Sequence, residues 1–125
     1  MPEHIHLILN PENIKDYPKI ISSVKHYFSK NVGQVCPTYN LKMGYKNKRE
    51  KGIFQRRYFE HTIINEQDLN NQINYIHYNP VKHGYVESVR DWKYSTFHKY
   101  VQSNLYDITW GSKTDIKDIL KINLE

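Results

Sequence analysis

Apolar and polar positions change period several times along this chain, and each change predicts an element. Residues 4 to 9 alternate as a strand does. Ile5, Leu7 and Leu9 face one way, His4, His6 and Ile8 the other, and Asn10 and Pro11 end the run. From Asn13 to Lys30 the spacing becomes helical. Tyr17, Ile20, Ile21, Val24 and Phe28 form one apolar stripe, with Pro18 suited to a first turn. Residues 31 to 52 keep no period and carry Gly33, Pro37, Gly44 and Gly52, as a long loop or loose hairpin would. Residues 57 to 64 alternate again, rich in aromatic and β-branched types. Asn65, with Asp68 three positions on, can cap a helix running from about Glu66 to Tyr78, with Leu69, Ile73 and Ile76 as its buried stripe. Pro80 sets a boundary at Asn79. Gly84 suits a turn before Tyr85 and Val86. Trp92, Tyr94, Phe97 and Tyr100 are expected to pack over the core, and Ser112 and Asp115 to cap a last short helix holding Ile116, Ile119 and Leu120.

Composition narrows the class. A chain of 125 residues fits one domain, with 101–125 read as a C-terminal extension, and 11 Tyr and 4 Phe help build a core from a 38% hydrophobic fraction. Eighteen Lys and Arg against 13 Asp and Glu give a net charge of +5. That balance suits a polyanionic partner such as nucleic acid, or simply a basic soluble protein. Cys36 is the sole cysteine, which excludes an internal disulfide and makes a reducing, cytoplasmic setting the expectation. No apolar run is long enough for a membrane helix, and no secretory signal is read.

The chemistry concentrates at two places. His4 and His6 project from the same side of the predicted strand, half of a metal site. On a wheel of about 100° per residue with Ile73 at zero, Leu69 and Ile76 fall within about 60°, and Tyr75 falls about 200° away. Tyr75 therefore avoids the predicted core, and Asn79 lies one turn on along the same side. Tyr78 is intermediate and competes with Tyr75. A tyrosine hydroxyl on a polar helix face can attack a phosphodiester whose charge a metal withdraws. Two imidazoles and an amide oxygen suit Mg²⁺ or Mn²⁺ better than a closed zinc site. Each feature has a bland use: a surface His-x-His, a tyrosine at an interface, an asparagine that only stops a helix. Their conjunction carries the weight. Lys46, Lys48, Arg49 and Lys51, followed by Arg56 and Arg57, form either a phosphate-contacting loop or a solvated charged face.

These motifs resemble a known family. PEHIHLIL is similar to the metal-binding strand of the single-tyrosine HUH transposases, and GIFQRRYFEHTIINEQDLNNQINYIHYNPVKHGYV to the second signature of the IS200-like group, above all its REP-associated tyrosine transposases. DWKYSTFHKY resembles the segment that follows, so the likeness covers roughly residues 2 to 100. The resemblance implies an α+β, ferredoxin-like sandwich of antiparallel sheet and helices, and an enzyme that cleaves and rejoins single-stranded DNA, often guided by a hairpin. It implies His4 and His6 as metal ligands, Tyr75 as the nucleophile that becomes linked to a 5′ phosphate, and Asn79 as a further ligand where many relatives carry Gln. Lys46, Lys48, Arg49, Arg56 and Arg57, with Lys82 and His83 after the helix, become candidate DNA contacts.

Met1 stands where the family has the methionine of the turn before its His strand, so the resemblance also implies an N-terminally incomplete fold. A homodimer that donates the tyrosine helix across its interface is a further implication. The competing reading is a noncatalytic DNA-binding or assembly remnant of such a transposase.

Overall fold

A computed structural model describes residues 4–35, 54, and 57–112. The chain divides into two compact units, Leu9–His61 on one side and Met1–Ile8 with Thr62–Glu125 on the other. In the first, Asn13 opens a 3-10 turn, Ile14–Asp16, its side chain accepting from the Lys15 backbone N–H at 3.0 Å. The α1 helix, Tyr17–Val35, follows directly, five residues beyond the predicted end. Tyr17, Ile20 and Ile21 of the apolar stripe are half-buried, whereas Val24 and Phe28 are exposed. Phe28 meets Phe54 edge-on at 5.3 Å, and Tyr17 meets Tyr58 at 6.5 Å. The Lys25 ammonium lies over both Phe54 and Tyr58. A hydrogen bond with Glu60 pushes the Tyr17 hydroxyl pKa up, with burial adding to it.

The second unit is built on the α2 helix, Glu66–Lys82. Its start is the predicted one. Asn65 Oδ1 accepts from the Asp68 N–H at 2.8 Å, and Asp68 Oδ2 accepts from the Ile64 N–H at 3.0 Å, satisfying donors that a bare helix end leaves open. Its end differs from the prediction. Asn79 is helical and Pro80 lies inside the helix. Proline removes one rung of the helical ladder, but the final turn closes without it. The Tyr85 N–H donates to the Pro80 carbonyl at 2.9 Å, and the Gly84 N–H to that of Val81 at 3.0 Å. Gly84, at φ +74°, supplies the left-handed residue this closure requires. Burial of Pro80 and Val81 offsets the lost rung.

The buried face of α2 is also rotated from the predicted stripe. Leu69, Ile73 and Ile76 are only half-buried, while His77, Tyr78, Asn79, Pro80 and Val81 are buried. On the same wheel, His77, Tyr78 and Val81 lie at about 40°, 140° and 80° from Ile73. The cause is the partner surface. A 3-10 turn, Val89–Asp91, and the short α3 helix, Phe97–Gln102, fold back on the last turns of α2. Tyr78, Val81, Val89 and Phe97 form the core, with Val86, Val101, Tyr106 and Trp110 packed around it. Phe97 and Tyr100 thus join the packing as expected, Trp92 is half-buried, and Tyr94 stands 74% exposed, outside the core.

Neither predicted strand forms a ladder. Among the described residues the only β-pairing is an antiparallel bridge between Ser88 and Ser112. An extended run gains its hydrogen bonds from a neighbouring strand, and no described segment offers one to residues 4–9 or 57–64. The sheet content of the described residues is therefore low. The last predicted helix lies outside them beyond Ser112. No helix among them is long and apolar enough to cross a membrane.

Gly111 closes the core. At φ +79°, it presses against Val89, and a Cβ there would meet Val89 Cγ2 at 2.5 Å. Gly111→Ala should cost about 2–3 kcal/mol, from left-handed strain plus overpacking. Urea unfolding would measure it, and a cost near zero would show that Val89 has room to move.

Candidate active site

Alternation along residues 4 to 7 survives without a ladder: His4 and His6 are half-buried, Ile5 and Leu7 exposed. The two imidazoles therefore turn inward together and meet edge-on, centroids 4.9 Å apart. His6 also meets the Tyr75 ring at 5.5 Å, and His4 meets His83 at 5.3 Å. The Lys82 ammonium lies 5.2 Å from the centre of the Tyr75 ring. Helical geometry makes this convergence possible. Tyr75, Asn79 and Lys82 are spaced by four and three residues, so successive turns of α2 present them to one place.

Burial sorts the two tyrosines. Tyr78 is 4% exposed and belongs to the core, whereas Tyr75 is half-exposed beside His6. Asn79, expected on the polar side, is 1% exposed. Neither its Oδ1 nor its Nδ2 closes a hydrogen bond of normal geometry, and neither does the buried Nε2 of His6. Such orphaned polar atoms are costly inside a protein. Burial pushes the His6 pKa down, the neighbouring His4 and His83 adding to the effect, while the nearby Asn79 amide opposes it. The neutral imidazole keeps a lone pair available for a ligand. Among the described residues no group of three His, Cys, Asp or Glu converges as a metal site. The donor set here is two imidazoles and an amide. An imidazole nitrogen beside an amide oxygen is a mixed donor pair, and the amide oxygen is the donor type that Mg²⁺ or Mn²⁺ accepts.

Of the residues singled out in the sequence, His4, His6, Tyr75, Asn79, Lys82 and His83 come together. Arg57 is exposed in the other unit. Lys46, Lys48, Arg49 and Arg56 lie outside the described residues.

Sequence reasoning missed His77. It is 1% exposed, ringed edge-on by Phe97, Tyr100 and Tyr106 at 5.9, 5.0 and 5.5 Å, and its Nε2 lies 2.9 Å from Thr96 Oγ1. Desolvation lowers its pKa to about 4. Next to it, the Tyr106 hydroxyl donates to Asn74 Oδ1, tying the packed segment back to α2. The only hint of this in the sequence is that position 77 flanks the Ile73 stripe on the wheel.

Two curated relatives match nearly the whole chain. A protein of Haemophilus influenzae named "Putative REP-associated tyrosine transposase" is 45% identical over 121 residues, which is 94% of this chain and 66% of the relative. The "REP-associated tyrosine transposase" of Escherichia coli K12 is 38% identical over 117 residues, 92% of this chain and 61% of the relative. The chain belongs to the REP-associated tyrosine transposase family. It spans somewhat under two thirds of the length of these transposases. No family model and no solved structure matches it. Within this family member, the half-exposed Tyr75 stands between the His6 ring and the Lys82 ammonium.

Proposed function

We propose that the chain cleaves and rejoins single-stranded DNA through a phosphotyrosine intermediate on Tyr75, as part of DNA transposition. The observation that carries this is the cluster of His6, Asn79 and Lys82 around a half-exposed Tyr75, with buried polar atoms left unsatisfied beside it. The Tyr75 oxygen attacks the scissile phosphorus in line. A P–O bond to tyrosine forms as the bond to the 3′ oxygen breaks. The tyrosine hydroxyl gives up its proton to solvent, and the departing 3′ oxygen takes one from solvent to leave as a hydroxyl, so the step is balanced. The 5′ phosphate stays on the protein, so the reverse attack by a 3′ hydroxyl rejoins DNA without an external energy source. Lys82, whose ammonium lies over the Tyr75 ring, would supply positive charge near the attacked phosphate, and His83 would extend that contact to a neighbouring phosphate.

His4, His6 and Asn79 would hold Mg²⁺ or Mn²⁺. When bound, the cation withdraws charge from the phosphate oxygens and orients the phosphate. Hairpin DNA is the proposed substrate form, with Lys46, Lys48, Arg49, Arg56 and Arg57 as backbone contacts. The ferredoxin-like sheet and a homodimer belong to the same proposal. The second reading, a noncatalytic DNA-binding or assembly remnant of such a transposase, draws on the fact that no three His, Cys, Asp or Glu converge as a metal site among the described residues.

The test is direct. Incubated with end-labelled hairpin DNA and Mg²⁺ or Mn²⁺, the chain should form a protein–DNA adduct that survives denaturing electrophoresis and disappears with EDTA. DNA binding with no adduct across a panel of hairpins would favour the noncatalytic reading.

A further inference from the structure

From the edge of the Tyr75 cluster a run of aromatic rings leads outward. His83 meets His4 at its inner side. On its other side lies Tyr85, centroids 6.4 Å apart and planes 30° apart. Tyr85 meets Trp92 at 5.8 Å and 35°, and Trp92 meets Tyr94 at 5.9 Å. The Lys93 ammonium lies 4.7 Å from the centre of the Tyr94 ring. The rings are not core. Tyr94 is 74% and Tyr85 38% exposed, His83 is exposed, and Trp92 is half-buried. Single exposed rings are ordinary on protein surfaces, but four in continuous contact are not explained by packing when the outermost contributes so little buried area.

The backbone holds the run in place. The left-handed closure at Gly84 fixes Tyr85 just after α2. The Trp92 N–H donates to the Val89 carbonyl at 3.1 Å, and the Trp92 carbonyl lies 3.1 Å from His98 Nε2. Cations flank it at both ends, Lys82 beside Tyr75 and Lys93 over Tyr94. Glu87 and Asp91 sit on the same stretch, with Asp91 Oδ1 3.9 Å from Arg90 Nε. Ring faces interleaved with cations match the chemistry of single-stranded nucleic acid: bases stack on the rings whatever their identity, and phosphates meet the ammonium groups. Paired bases in a duplex cannot offer their faces in this way.

We infer that His83, Tyr85, Trp92 and Tyr94 form a base-stacking track that holds the unpaired DNA flanking the phosphate at Tyr75. The inference rests on the single-stranded DNA reading of that site, but it makes no use of the cleavage step. The track seats roughly two or three bases. It selects for unpaired nucleotides next to the cleavage position and leaves their sequence largely open.

Tyr94 is the residue to change, because its removal leaves the core intact. The full chain carrying Tyr94→Phe, Tyr94→Leu or Tyr94→Ala is titrated with a fluorescein-labelled single-stranded oligonucleotide and, separately, with the same sequence as duplex, alongside a melting curve. Tyr94→Phe keeps the π face and should bind as the parent does. Tyr94→Leu and Tyr94→Ala should each bind single strands roughly tenfold more weakly, the loss of one stack, with duplex binding and Tm unchanged. Unchanged single-strand affinity in Leu and Ala variants would overturn the track, as would equal losses for duplex and single strand, or a parent that binds no single strands. Running the titration on a Tyr75→Phe background separates the two readings. Tyr94-dependent binding on that background would uphold the track independently of cleavage, whereas Tyr94-dependent binding in a parent chain that keeps Tyr75 yet forms no adduct would uphold the track and count against the chemistry proposed for Tyr75.

Discussion

Tyr75→Phe is expected to abolish covalent capture of DNA, with no detectable adduct, while DNA affinity and Tm stay within error of the parent. Phenylalanine keeps the ring that meets His6 and lies under the Lys82 ammonium, so the packing of the cluster is retained and only the attacking oxygen is lost. The paired control is Tyr78→Phe. Tyr78 is buried against Val81, Val89 and Phe97, where incoming phosphate cannot reach it. That variant should form adduct at the parent's rate after correction for any loss of folded protein. Gel quantitation of adduct with both variants checks the pair. Adduct that persists in Tyr75→Phe and falls in Tyr78→Phe would assign the chemistry to the wrong tyrosine.

The second large effect is on acid stability. His77 has a pKa of about 4 in the folded chain against an ordinary value of 6.5, because burial among Phe97, Tyr100 and Tyr106 penalises its charged form. The unfolded chain therefore takes up a proton at higher pH than the folded chain. The stabilisation is fully present above about 6.5 and is lost as pH falls toward and through 4. The whole difference is worth about 3 kcal/mol, of which about 2 kcal/mol should vanish between pH 7 and pH 5. Urea unfolding of the parent and of His77→Phe at those two pH values would show it. The variant keeps a ring in the aromatic cage and should lose about 2 kcal/mol less than the parent over that interval. Equal losses in both chains would place the acid sensitivity elsewhere.

What could be read in the sequence was local or chemically distinctive. Asn65 and Asp68 announce a helix start because short polar side chains satisfy the open donors there, and both hydrogen bonds form. Alternation over His4, Ile5, His6 and Leu7 put both imidazoles on one side, and one helix turn put Tyr75 over Asn79. What was not legible depends on partners distant in sequence. The Ile73 stripe promised one buried face, but α3 and the turn at Val89 cover the face that carries His77, Tyr78 and Val81. Pro80 looked like a stop because local rules assign its cost without the burial and the Gly84 closure that offset it. Tyr94 looked like core because an aromatic residue alone does not reveal which way the chain turns after Trp92. Asn79 looked like surface, yet it is 1% exposed beside His6, a burial set by how the chain folds back on α2 and not by its own helix face.

The central claim is that DNA becomes joined to one named oxygen. The adduct formed with hairpin DNA would be digested with nuclease and trypsin and its peptides sequenced by mass spectrometry, with the released DNA end probed for a free 3′ hydroxyl. The account predicts a nucleotide 5′-phosphate on Tyr75, within the peptide that contains Asn79, and a 3′ hydroxyl on the other product. Modification at Tyr78 or any other residue, or a cleaved strand with its 5′ phosphate free and no peptide attached, would contradict it.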